Sequence, residues 1–148
     1  MSILSAVIAG LVGTVVFTMI MVMAPKMGMP KMDIVGLLGS MFGGENRALG
    51  MIIHLLMGAI FAIIYVYLWG VGIGILSLLG GVIFGAIHWL VVGLMMAGMP
   101  MMHAGIKSGA VEAPGIYMTK SGGAMGFMGG LIGHIIFGAV VALTYAAL

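Results

Sequence analysis

Four uninterrupted apolar runs dominate the chain, and polar positions gather between them rather than alternating with them. Ile3–Ala24, Ala48–Trp69, Ile75–Ala97 and Ala124–Leu148 are each long enough at 1.5 Å per residue to cross about 30 Å of hydrocarbon. Each predicts a helix, because an isolated strand cannot satisfy its backbone in lipid. A short Gly-Val-Gly-Ile-Gly turn after Trp69 makes the second and third runs antiparallel neighbours. The other two connections are longer and hold every charged residue: Lys26, Lys31, Asp33, Glu45 and Arg47 in the first, Lys107, Glu112 and Lys120 in the second.

Inside the first long connection, Asp33 is placed to cap a short helix over residues 33–42. Ile34, Leu37, Leu38, Met41 and Phe42 there recur at the spacing of one apolar stripe. That pattern predicts a segment lying in the membrane interface. The second connection, His103–Gly123, is glycine-rich without such a stripe and reads as irregular chain.

Composition sharpens the class. Hydrophobic residues make up 64% and charged residues 5%, far below the ~25% charge of a soluble domain, so the expectation is an integral membrane protein. All five Lys/Arg lie in the two long loops, which an odd number of crossings puts on one side. The positive-inside rule makes that side the cytoplasm, leaving both termini and the Gly70–Gly74 turn outside. The first run lacks a basic leader and a small-residue cleavage site, so it is expected to be retained. A net charge of +2, dispersed over loops, gives no reason to expect a nucleic-acid partner. Cysteine is absent, which removes disulfides and thiolate chemistry.

The chain is also self-similar. His54-Leu-Leu-Met-Gly-Ala-Ile-Phe-Ala-Ile-Ile-Tyr-Val-Tyr-Leu68 aligns without gaps on His134-Ile-Ile-Phe-Gly-Ala-Val-Val-Ala-Leu-Thr-Tyr-Ala-Ala-Leu148, at an offset of 134 − 54 = 80. Gly28-Met-Pro-Lys-Met32 matches Gly98-Met-Pro-Met-Met102 at 100 − 30 = 70. The expected architecture is therefore an all-α four-helix bundle of two tandem hairpins, residues 3–69 and 75–148. Two copies of equal orientation are related by a pseudo-twofold axis along the membrane normal. Gly58 and Ala62, with their counterparts Gly138 and Ala142, share a stripe with His54 and His134, and small residues there let helices approach closely. Gly81-x-x-x-Gly85 and Gly129-x-x-x-Gly133 add two more such motifs.

Candidate chemistry is confined to histidine and methionine. His54, His88 and His134 lie inside predicted spans at similar depth, and the 70-residue offset sets Thr18 opposite His88 as a fourth corner. Ionisable side chains in a span normally face the bundle interior and mark a site. Paired imidazoles on facing helices suit haem b or a metal ion, copper among them; a proton path would normally add carboxylates, which the spans lack. Hydrogen bonding to Tyr65, Tyr145, Thr18 or a backbone oxygen is the plain structural alternative. Met27, Met29 and Met32, and Met99, Met101 and Met102 with His103, cluster thioethers at helix ends where soft Cu(I) would bind. Core filling is the plainer account of methionine, many copies of which are scattered along the spans in place of Leu. Neither a nucleophile elbow nor a phosphate-binding loop occurs, so hydrolase and transferase chemistry has no candidates.

Met-Ala-Pro-Lys-Met-Gly-Met-Pro-Lys-Met-Asp-Ile, His-x-x-x-Gly-Ala-x-x-Ala-x-x-Tyr and Phe-Gly-Ala-Ile-His-Trp together resemble a family of small bacterial four-helix inner-membrane proteins. The likeness spans most of the chain. It implies a topology and a bacterial inner-membrane location, and carries over neither an activity nor a site residue; the methionine-rich loop is the expected point of departure. Three functional classes remain: a packing or assembly subunit of a homo-oligomer or larger membrane complex, a haem- or copper-binding module, and a small proton or ion transporter.

Overall fold

The computed structural model describes residues 1–148 and is helical throughout, with no strands. Four long helices carry it: α1 (Ile3–Met23), α3 (Arg47–Gly70), α4 (Leu78–Met95) and α7 (Thr119–Ala147). All four are long and apolar enough to cross a membrane. Their outward faces are aliphatic, with Leu56, Ile60, Ile87, Val91 and Leu143 exposed. Ser2, Asn46 and Ser77 each accept a backbone N–H from the residue three positions on, capping α1, α3 and α4. Short α2 (Ile34–Gly39), α5 (Met99–Met102) and α6 (Ala104–Lys107) fill the long connections. The backbone N–H of Ser2 donates to the Tyr145 hydroxyl, so the start of α1 and the end of α7 lie together.

Glycine seams fix which helices touch. α1 packs against α3 and α7, and α4 against α7. A side-chain carbon at Gly10 would lie 2.7 Å from the Ala59 Cα and 2.9 Å from the Ala62 methyl. One at Gly81 would lie 2.8 Å from the Ala142 methyl and closer still to the Gly138 carbonyl. Gly58 and Gly138 therefore serve seams with α1 and α4 rather than with each other. Gly85 abuts the backbone of His134, Gly133 receives the Phe17 ring, and Gly129 receives the Met32 methyl. The consecutive helices α3 and α4 meet differently, through rings: Phe61 on His88, Tyr65 and Trp69 on Phe84.

The first loop corrects one expectation. Asp33 caps α2 through the Gly36 N–H at 2.9 Å, but the helix stops at Gly39, because the Ser40 hydroxyl turns back onto the Gly36 and Leu37 carbonyls. Phe42 is left exposed, while Val35, Leu37 and Leu38 are buried and α2 packs on α3. Leu37 and Leu38 of the apolar stripe thus make a protein contact, and Phe42 lies outside it.

A second correction concerns the loop read as irregular. It contains α6 and the first turn of α7, and it is tied to the first loop by the Ala104 N–H on the Met41 carbonyl and the Gly105 N–H on the Ser40 carbonyl. Before α7, Tyr117 and Met118 both adopt left-handed conformations (φ 51° and 57°), and Gly123 (φ 57°, ψ −144°) breaks the first turn of α7 from the rest.

Asp33 also accepts two N–H groups of the Arg47 guanidinium, at 2.6 and 3.0 Å. That guanidinium holds the Asp33 carboxyl below its ordinary value of 3.8. A depressed carboxyl stabilises the fold above its unfolded-state value and loses that contribution as pH falls through the folded-state value. Wild type should therefore lose up to about 1 kcal/mol below about pH 4, the range for a largely exposed pair. D33N, which keeps a capping oxygen, should show no such acid step in its thermal midpoint; an unchanged acid step in D33N would contradict the assignment.

Candidate functional site

His54 on α3, His88 on α4 and His134 on α7 line one interior cavity of about 80 Å³. The helices aim them there because each histidine lies on its helix's seam face. His54 is one helical turn before Gly58, His88 is three residues after Gly85, and His134 is one turn after Gly130 and one before Gly138. His88 and His134 stand edge to face with ring centres 4.8 Å apart. Phe61 lies over His88 at 3.7 Å and Trp89 over His134 at 5.1 Å.

Hydrogen bonds assign the proton on each neutral ring. His134 Nδ1 is 2.8 Å from the Gly130 carbonyl, which only accepts, so Nδ1 carries the hydrogen and Nε2 keeps its lone pair. His54 Nδ1 is 3.3 Å from the Thr18 hydroxyl, whose own hydrogen is donated to the Thr14 carbonyl at 2.8 Å. Nδ1 is again the donor, and Nε2 again bears the lone pair. His88 Nδ1 lies 3.0 Å from the hydroxyl of Tyr65. That phenol is buried with no other partner, so it donates to His88 and moves the ring hydrogen to Nε2. No protein group bonds any of the three Nε2 atoms.

Around the same cavity stand four thioethers, of Met21, Met57, Met96 and Met118, and no carboxylate. Trp89, fully buried, has no acceptor for its indole N–H. No three His, Asp or Glu side chains converge as one metal-ligand set. Any metal held here would take at most two imidazoles, completed by sulfur.

Comparison with protein families, with curated proteins and with solved structures finds no match. The resemblance to bacterial four-helix membrane proteins thus rests on short motifs alone.

Several sequence-derived assignments change. Haem does not fit: the cavity is well below the roughly 300–1,000 Å³ of small-molecule pockets. Phe17 moreover stands between the expected ligand pair, 5.8 Å from His54 and 4.9 Å from His134. Thr18 is not a fourth corner; it supports His54 from behind, and Thr14, one turn earlier, reaches the cavity.

His103 cannot serve as a metal ligand, because both ring nitrogens are taken. Nδ1 accepts the Ile106 N–H at 3.1 Å, and Nε2 donates to the Leu37 carbonyl at 2.8 Å, tying the two loops together. Nor do the loop methionines form one cluster. Met32 is buried in the core and packs with Met29 at Gly129, whereas Met27, Met101 and Met102 are exposed. Met99 packs partly buried against the core that holds Met32. The cavity thioethers come from other positions, which local clustering could not reveal; Phe17, Trp89 and Met118 were likewise hidden among apolar neighbours.

Proposed function

We propose that this chain is a multi-pass bacterial inner-membrane protein whose bundle binds a soft monovalent metal cation of the Cu(I) type in the histidine–methionine chamber. The observation that carries the reading is the donor set: the Nε2 lone pairs of His54 and His134, which have no protein partner, and four thioethers around one charge-free cavity. Imidazole and thioether select soft ions, and a small cavity suits a bare ion better than a cofactor. Burying charge without a counter-charge is costly, which favours a monovalent ion over a divalent one.

The competing reading, a packing subunit, needs outward seams. Gly58, Gly81, Gly85, Gly129, Gly133 and Gly138 all meet this chain's own helices or loops. They are thus unavailable to recruit a lipid-side partner.

In this reading the long loops face the cytoplasm and the two hairpins are copies of one unit. Support for the duplication comes from the paired seams, Gly10 with Gly58 and Ala62, and Gly81 with Gly138 and Ala142. Their register gives 138 − 58 = 80 and 81 − 10 = 71. The latter is one residue from the loop-derived offset, and it pairs Phe17, not Thr18, with His88.

The test is anaerobic titration of purified protein with Ag(I), a redox-inert stand-in for Cu(I), against a chromogenic chelator. One ion per chain is expected. The H54A/H134A double variant, which removes both free Nε2 lone pairs, should weaken binding by at least roughly 100-fold, while leucine at Met27, Met101 and Met102 should change little. Failure of wild type to bind either ion stoichiometrically would overturn the reading.

A further inference from the structure

Above the chamber, on the side of the long loops, lies a second and polar cavity of about 240 Å³, lined by Lys31, Glu45, Arg47, Glu112 and Ser121 among others. One residue belongs to the walls of both cavities, and that residue is Met118. Its side chain is almost wholly buried, packed with Met21, Met96 and Trp89 in one apolar cluster. Polar vestibule and histidine chamber therefore share their wall at Met118.

The backbone carrying that thioether is unusual. Tyr117 (φ 51°, ψ 31°) and Met118 (φ 57°, ψ 20°) are consecutive non-glycine residues in the left-handed region, which disfavours any residue with a Cβ. Such strain persists only where surrounding contacts over-determine it, and it concentrates at sites that move or bind. Here the restraints are visible. The Tyr117 hydroxyl donates to the Leu90 carbonyl at 3.2 Å, and its ring lies over Gly93 and against Trp89 and Phe127. Glycines with positive φ bracket the segment, Gly115 at 74° and Gly123 at 57°. The strained pair thus sits between two hinges and is latched to α4 by one tyrosine.

We infer that Met118 is the gate and relay of the chamber: its thioether closes the passage from the polar vestibule and hands a soft cation across to the imidazoles. The identity of the ion rests on the proposed function, whereas the partition does not. Along the other wall, Met21 and Ile34 separate the chamber from a groove beside α1, which offers the competing route.

Because the chain has no cysteine, an introduced thiol reports access without background. Met96 lines the chamber and is 9% exposed, so M96C places the thiol inside and makes room for a small label. A cationic methanethiosulfonate reagent should modify M96C slowly and M96C/M118A about tenfold or more faster, as labelling follows the open population. M96C/M118L should remain slow, since leucine keeps the bulk. In an otherwise native chain, M118L should load Ag(I) about tenfold more slowly than wild type, because bulk without sulfur blocks the passage and relays nothing. Equal labelling of M96C and M96C/M118A would overturn the gate and favour the α1 route. Unchanged Ag(I) loading in M118L would overturn the relay. If wild type binds no ion yet M118A opens access to the thiol, the metal reading fails and the partition stands.

Discussion

Leucine at Gly138 is expected to prevent closure of the α4–α7 seam, and alanine there to destabilise the protein by about 1–3 kcal/mol or more. Two effects oppose each other in the alanine variant. Removing glycine from a helix interior gains up to about 1 kcal/mol of propensity. Against this, the new Cβ would run into the Gly81 carbonyl and lie 2.9 Å from the Gly85 nitrogen. Those atoms are backbone and cannot rotate aside, so the packing loss wins. Gly70→Ala is the matched control: a Cβ there meets nothing within 4 Å, and the change should be neutral or stabilising by up to about 1 kcal/mol. Thermal midpoints in one detergent decide the matter. Similar shifts for the two alanine variants would show that the seam is not tight.

Phe17→Ala should produce the other large effect. The ring is 6% exposed, fills the notch at Gly133 and separates His54 from His134. Phe→Ala in a core costs about 3–5 kcal/mol, as lost transfer energy plus a cavity. Lipid is as apolar as the bundle interior, so the transfer part shrinks and lost contact dominates. The expected loss is therefore near the lower end, about 3 kcal/mol. It should come with an enlarged chamber in which the two imidazoles face each other directly. A loss under about 1 kcal/mol would mean that the space collapses, and that Phe17 is filler rather than a spacer.

The four spans were legible because apolar runs of membrane length have no soluble counterpart, and the three interior histidines because ionisable residues in such runs stand out. Asp33 as a cap was legible too, being local. The structure withheld other features for physical reasons. α5 and α6 have no apolar stripe, and their loop is held by long-range bonds from His103, Ala104 and Gly105 to the first loop. Local pattern does not encode such bonds. Phe17, Trp89 and Met118 carry no contrast among apolar neighbours, although each shapes the chamber. Thr18 was set opposite His88 by an offset one residue short of the seam register, and one residue on a helix is about 100° of rotation.

The stretches 3–25, 48–106 and 121–148 contain no Lys, Arg, Asp or Glu, so the empty bundle carries none of these formal charges through an energised membrane. A monovalent ion in the chamber would add one. An elementary charge crossing the whole potential exchanges about 2.3 kcal/mol per 100 mV, and one stopped about halfway exchanges about half of that. Under the proposed orientation, which sets the vestibule on the negative, cytoplasmic side, polarisation would pull such an ion back out. Occupancy would then fall roughly sevenfold per 100 mV, making the chamber load on depolarised membranes and empty on energised ones.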